Sequence, residues 1–587
     1  MRKILKQFLA FCIITLVPFH AFSKTYNLDI AYKFVNITGN TVKKIGINGT
    51  IPGPILRFEE GEEVKINVIN NLDEDTSIHW HGLLLPGEMD GVPGLNGFPG
   101  IKPGETFTYR FKIRQTGTYW YHSHSKGQEQ DGEFGALIID FKDADPVKFD
   151  RDYVILLSDF HEENGSNILA NLKMSSEYYQ YARRTLTDFF YSVEKHGFRM
   201  AWENALMWGK MRMLPTDLAD VTGYTFLTNG KTSEQNWTGL FKLGERIRLR
   251  FINASAMSFF DVRIPGLEMH VVSSDGQNIE PINVDEFRFG VAETYDVIVI
   301  PQEEKAYTIV AEPIDRTGFA LSTLSPRLGL KGEIPVQRER ALLTMKDMSM
   351  NHEMNHEEPM DHTNHEMSHE EPMDHIDDLV KEIDEIEHDH SSHANHEMSH
   401  EEPMESGWAK TGSSKESKTL NYSDLRYLGI QKDARKPDRE IVVRLGGNME
   451  RYIWTLNDKK FRDSEPINLK YGERVRLKFI NDTMMAHPMH LHGMFFQLEN
   501  GQPLEKLPNK NVVIVAPGNS YSVLLSANEP GEWAFHCHLL YHMMAGMMNK
   551  VVVAKLDATA DHANHEMNHE EPILQIDTGN KKDNHAH

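Results

Sequence analysis

At 587 residues, with 40% hydrophobic and 10% aromatic side chains, the chain is too long for one core and has room for about three or four domains. Its formal charge of −24 is unevenly spread: residues 351–405 hold 19 Asp and Glu against one lysine, Lys381, so the remainder is only mildly acidic. Nothing in that balance suggests the basic face a nucleic-acid partner requires.

The first residues, MRKILKQFLAFCIITLVPFHAFSK, place Arg2, Lys3 and Lys6 ahead of an apolar run and end at Ala21-Phe22-Ser23. This reads as a secretory signal over residues 1–23. The alternative, a membrane anchor, needs an apolar run of roughly 20 residues, which is longer than this one. Cys12 leaves with the signal, so the exported chain has the single cysteine Cys537 and no intramolecular disulfide. A lone exported thiol is a liability unless a bound metal holds it as thiolate.

From residue 24 onward short β-type runs such as EEVKINVINN, ETFTYRFKI and GTYWYHSH alternate with Gly, Pro, Asn and Asp, the pattern of a β-sandwich. One element recurs as GEEVKINVINNL (61–72), GERIRLRFINAS (244–255) and GERVRLKFINDT (472–483), which predicts three related β domains. We place them at 24–148, 149–345 and 436–556. The second takes a helical insertion over roughly 170–222, where Met200, Met207 and Met211 share a helical face. Such a stripe packs a core more often than it binds a ligand, although thioethers also suit Cu(I).

Residues 346–435 form an expected linker. Within it NHEMNHEEPMDH, NHEMSHEEPMDH and NHEMSHEEPMES repeat one unit, and NHEMNHEEP returns in the tail, 557–587. This composition is too polar and charged to offset the entropy of ordering, so most of the linker is expected to be disordered. A solvated spacer needs neither His nor Met, and both bind copper, so the repeats are expected to hold extra copper.

Four histidine clusters remain: HWHG (79–82), HSH (122–124), HPMHLHG (487–493) and HCHLLYHMMAGM (536–547). Apart from the leader, the repeats and the tail, only His161, His196 and His270 lie elsewhere. Along a strand, residues two apart share a face, so His536 and His538 look one way and Cys537 the other. His487, three positions before His490, can turn toward Cys537. His487, Cys537 and His542, with Met547 as a weak axial sulfur, then make a blue-copper electron-transfer site. His79, His81, His122, His124, His490, His492, His536 and His538 form four H-x-H pairs, too many for one ion and suited to three coppers with open positions for dioxygen.

These four motifs, in this order and spacing, resemble those of the multicopper oxidases, which are built of cupredoxin domains, and the likeness covers essentially the whole mature chain. The segment LMWGKMRMLPTDLADVTGYTFLTNG (206–230) and the His/Met repeats are most similar to the periplasmic copper-resistance (CopA-type) members. The resemblance implies an all-β chain of three cupredoxin-like Greek-key sandwiches and four catalytic coppers. It assigns His487, Cys537, His542 and Met547 to type 1 copper and His79 and His490 to type 2. His81, His122, His124, His492, His536 and His538 fall to the type 3 pair. Asp90, in GEMDGVPG nine residues after His81, fits the family's acidic residue beside the cluster, a proton relay or anchor; the alternative is an ordinary turn aspartate.

The implied activity is oxidation of Cu(I) coupled to four-electron reduction of dioxygen to water, serving copper resistance in the periplasm, with periplasmic copper-handling proteins as candidate partners and no membrane span once the signal is removed. A laccase-like oxidase of small phenols is the nearest alternative, and a copper store is the alternative of another class; a store has no need of a thiolate between two halves of a three-copper cage. Two departures stand out. The start has no Arg-Arg pair of a twin-arginine signal, and Met543 stands where some related cuprous oxidases carry a glutamate.

Overall fold

The computed structural model describes residues 24–181, 185–211, 218–340 and 417–555. The expected signal, the His/Met repeats and the His-rich tail lie outside the described residues.

Among the described residues the strands form six sheets, paired as three consecutive β-sandwiches. The repeated sequence element explains why. In each sandwich it becomes an equivalent strand: Glu63–Asn70, Ile247–Asn253 and Arg474–Asn481. Each runs parallel to the first strand of its own domain and antiparallel to a later one.

The element's turn and end residues have matching roles in all three copies. Gly61, Gly244 and Gly472 take φ of +86°, +77° and +82°, a conformation glycine adopts without steric cost. The following glutamate accepts the backbone N–H three residues before it: Glu62 from Glu59, Glu245 from Lys242, Glu473 from Lys470. The closing asparagine is buried, and its Nδ2 donates to carbonyls of loops the strand must hold: Asn70 to Glu74 and Ile101, Asn253 to Ser258 and Phe289, Asn481 to Met485 and Val515. Its Oδ1 meanwhile accepts the N–H two residues on, a local Asx turn.

The insertion in the second sandwich holds three helices: Gly165–Met174, Leu186–His196 and Phe198–Met211. The first starts earlier than the expected insertion, capped by Asn164. The second starts at a capping box between Thr185 and Asp188, so the preceding MSSEYYQ, expected as helix, contributes only its first residue to one. The third helix buries Ala201 and Trp208, while Met200 is 61% exposed and Met207 half-buried. Met200 therefore does not pack a core. No helix among the described residues is long and apolar enough to cross a membrane.

The end of the segment expected as linker, 417–435, is ordered, first against the second sandwich and then, through Gln431 and Arg435, against the third. Thr419–Leu420 pairs in parallel with Glu286–Phe287, Leu425 is fully buried, and the Tyr422 hydroxyl donates to Glu293 at 2.6 Å. Its apolar anchors set it apart from the charged repeats before it.

The histidine motifs lie on paired strands at the meeting of the first and third sandwiches. His79–His81 pairs with Gly117–His122, placing His79 opposite His122. His487–Leu491 pairs with Gly531–Cys537, placing His490 opposite His536 and Met489 opposite Cys537.

Candidate metal centres

His487, Cys537 and His542 form one cluster, fully buried. Cys537 Sγ lies 3.5 Å from Nδ1 of His487 and 3.8 Å from Nδ1 of His542, and the two Nδ1 atoms are 3.1 Å apart. Donors at those separations can all reach one ion at bond lengths of about 2.0–2.3 Å. Each ring is anchored by its other nitrogen: His487 Nε2 meets Thr483 Oγ1 at 2.7 Å, and His542 Nε2 meets Asp220 Oδ2 at 2.8 Å. Asp220 accepts from Nε2–H, which leaves the Nδ1 lone pair of His542 facing the thiol.

The surroundings fix this geometry. Trp454 stacks on His542 with centroids 3.9 Å apart, and Tyr452 donates to Asp220 at 2.6 Å. Met547 is fully buried; its N–H donates to His542 O, and its own carbonyl accepts from Cys537 N–H. Burial pushes both imidazoles well below their ordinary range and the Cys537 thiol up. It also raises the Asp220 carboxyl to about 7, against the hydrogen bond from Tyr452. Neutral imidazoles are ready ligands, and a cation between them favours the thiolate that burial alone opposes.

On the other side of Cys537 the eight remaining predicted histidines come together. Seven are buried and His124 is half-buried. His79 stacks on His492 at 3.7 Å and His81 on His490 at 3.9 Å; His122 and His538 lie 5.1 Å apart, as do His124 and His536. Three groups bring ligand atoms within 4.8 Å of one another: His79 with His490 and His492; His124 with His492 and His536; and His122 with Glu129 and His538.

The hydrogen bonds run one way. Nδ1 is held outward by the Asp90 carbonyl in His79 (2.9 Å), the Asn511 carbonyl in His490 (2.7 Å), the Asp90 carboxylate in His492 (2.8 Å) and the Cys537 carbonyl in His536 (3.0 Å). His122 Nδ1 lies 2.6 Å from Glu129 Oε2. Meanwhile Nε2 of His79, His81, His122, His124, His490 and His538 is buried with no hydrogen-bond partner. Buried polar atoms are rarely left so. Six unpartnered inward nitrogens, three of them on rings whose Nδ1 is held outward (His79, His122 and His490), are what metal ligation requires, and the donor set fits copper.

Burial keeps seven of these rings neutral, holding His536 at about 4 and His81, His122, His124, His490, His492 and His538 well below the ordinary range. Asp90, also buried, spans the two halves: Oδ2 bonds His492 and Oδ1 lies 3.3 Å from His79 Nδ1.

The structure thus brings all twelve predicted ligand residues and Asp90 into two neighbouring sites. It adds four that sequence reasoning missed: Thr483, Asp220, Glu129 and the Asn511 carbonyl. Asp220 lies in the segment LADVTG, but spacing alone does not point it at His542. Burial, and secondarily Asp159, hold the Glu129 carboxyl well above the usual range.

Three family models, each described as multicopper oxidase, match residues 29–144, 151–325 and 434–557. The chain is 46% identical to copper resistance protein A of Escherichia coli, over 90% of this chain and 92% of that one. It is 47% identical to a copper resistance protein A homolog of Pseudomonas syringae pv. tomato, with the same coverage. Laccase-1 of Cryptococcus neoformans is more distant, 26% identical over 90% of this chain and 80% of its own. Among solved structures, Fet3p, a multicopper oxidase that functions in iron import, shares the fold with a TM-score of 0.63 at 20% identity, covering 90% of each chain. A multi-copper oxidase from Pseudomonas thermotolerans does so with a TM-score of 0.58 at 21% identity, covering 91% of this chain and 99% of its own.

Proposed function

The chain belongs to the multicopper oxidase family, a copper-dependent oxidase with type 1, type 2 and type 3 copper, and from that premise we propose that its substrate is Cu(I) and its role copper resistance in the periplasm. In this reading His487, Cys537, His542 and Met547 would hold type 1 copper, and His79 and His490 would hold type 2. His81, His122, His124, His492, His536 and His538 would hold the type 3 pair. The observation that carries it is the arrangement around Cys537, whose sulfur faces one donor set while the adjoining His536 and His538 belong to the other.

Bound there, copper supplies one-electron oxidation of substrate and four-electron reduction of dioxygen to two waters, so each turnover takes four Cu(I) and four protons. The protein's own residues do the rest. Neutral imidazoles, oriented through Nδ1 or Nε2, present lone pairs without reorganisation. The short covalent link from Cys537 to both neighbouring histidines joins the centres. Asp90 stands where a proton is needed: Oδ2 is engaged with His492 and Oδ1 has no hydrogen-bond partner, so Oδ1 can hold a proton and pass it on.

The similarity to copper resistance proteins favours Cu(I) as substrate. So do Met543 and Met544, half-buried in the short helix Leu540–Met544 that also carries His542, because thioethers suit Cu(I). Periplasmic copper-handling proteins are the partners this reading implies. Oxygen uptake by the copper-loaded protein, driven first by Cu(I) and then by a small phenol, tests it: higher kcat/KM for Cu(I) supports the proposal, and exclusive use of the phenol refutes it.

A further inference from the structure

The second sandwich supplies none of the twelve predicted ligands, yet one of its side chains holds the backbone that supports the histidine cage. We propose that Asp275 is a positioning residue for that cage: paired with Lys510, it clips the backbone at Asn511 and Val512 so that the Asn511 carbonyl orients His490. This rests on the reading of His490 as a type 2 ligand.

Asp275 occupies the tight turn between Met269–Ser274 and Gln277–Val284, at φ +47°, where aspartate is one of the residues that tolerates the left-handed region. Its Oδ2 accepts the N–H of both Asn511 and Val512, each at 3.0 Å. Its Oδ1 accepts from Thr294 N–H at 3.1 Å and lies 3.0 Å from Lys510 Nζ. That ammonium also lies 2.9 Å from Glu293 Oε1 and donates to Ser274 Oγ at 2.9 Å. Asp275, Glu293 and Lys510 have no exposed side-chain surface.

A buried ion cluster is weak evidence of stability but well suited to fixing register, and here the register is that of the cage. Val512 lies directly across the sheet from His490. The Asn511 carbonyl accepts from His490 Nδ1 at 2.7 Å, on the ring whose Nε2 has no partner. Asn511 also abuts the residue after His81, for a Cβ at Gly82 would lie 2.2 Å from its Nδ2. A shift of Asn511 therefore turns His490 and disturbs the segment carrying His81 together.

The test uses the copper-loaded full chain and reads the type 2 electron paramagnetic resonance signal, the rate at which a chelator removes type 2 copper, and the blue absorption. Asp275→Ala should release type 2 copper at least about tenfold faster and Asp275→Asn, which keeps one acceptor oxygen, about threefold faster, with the blue absorption per chain unchanged. If Asp275→Ala does not fold, Asp275→Asn decides alone. Unchanged release from Asp275→Asn overturns the proposal, as does a parallel loss of blue and type 2 signals. Ile309→Ala, a core change in the same sandwich, should leave type 2 release at the parent rate; equal acceleration there would reduce Asp275 to a stability effect and overturn the proposal. Type 2 copper retained in His490→Ala would overturn the site reading and the inference together.

Discussion

Asp220 of the second sandwich holds Nε2 of His542 in the third at 2.8 Å, across 322 positions of sequence. A buried carboxylate at that point stabilises the more positive state of any ion bound at Nδ1. Asp220→Asn keeps the shape and removes the charge. We expect a blue protein whose type 1 potential rises by about 65–130 mV, given about 1.5–3 kcal/mol for a charge-assisted hydrogen bond and about 59 mV per tenfold change for one electron. Redox titration of the blue band measures it, and an unchanged or lower potential contradicts the assigned role.

The buried imidazoles tie stability to pH and copper. Their folded-state pKa values lie below the unfolded 6.5, so the unfolded chain binds more protons and stability falls as pH drops from about 6.5 toward 4. His536 alone, held at about 4, represents roughly 3 kcal/mol across that window. Metal-free protein should show a steep fall in Tm between pH 7 and 5, and copper-loaded protein a fall at least as steep from a higher Tm, because bound copper keeps the rings unprotonated and also holds Cys537 as thiolate. Calorimetry on both forms provides the check; coincident curves would mean that copper does not occupy these rings.

His122 and His124 serve only the cage in this account. Replacing both with alanine should leave the blue band essentially intact while oxygen reduction stops. Loss of colour in a folded variant would mean that the two donor sets were wrongly divided.

How much of this was legible in the sequence follows from which residues carry side-chain signatures. The alternating strands and the thrice-repeated Gly-Glu and Asn element announced three sandwiches, because turn and cap chemistry is local. The H-x-H pairs announced the metal centres, because two-residue spacing puts both rings on one face. Asp220, Asp275 and Glu129 were illegible: each acts on a residue brought near only by folding, Asp275 on Asn511 across 236 positions. The Asn511 carbonyl is backbone and leaves no mark in any sequence. In the third helix, spacing grouped Met200 with Met207 but could not say which face turns inward; Ala201 and Trp208 do so.

The His/Met repeats allow a prediction of their own. Exchanging residues 346–406 for a Gly/Ser linker of equal length should leave the protein blue and near-normal toward a small phenol, while copper bound per chain falls. Cuprous oxidation at low copper should slow selectively. Metal analysis beside the two rate assays decides: unchanged copper would make the repeats a spacer, and equal loss of both rates would give them a role in the fold.

The central claim is that Cys537 joins two copper centres through one strand, and Cys537→Ser tests it most directly. The copper-loaded variant should lose the intense blue absorption and Cu(I)-driven oxygen uptake together, while keeping the type 2 signal of the cage. A variant that remained blue, or that reduced oxygen with Cu(I) at the parent rate, would contradict the account.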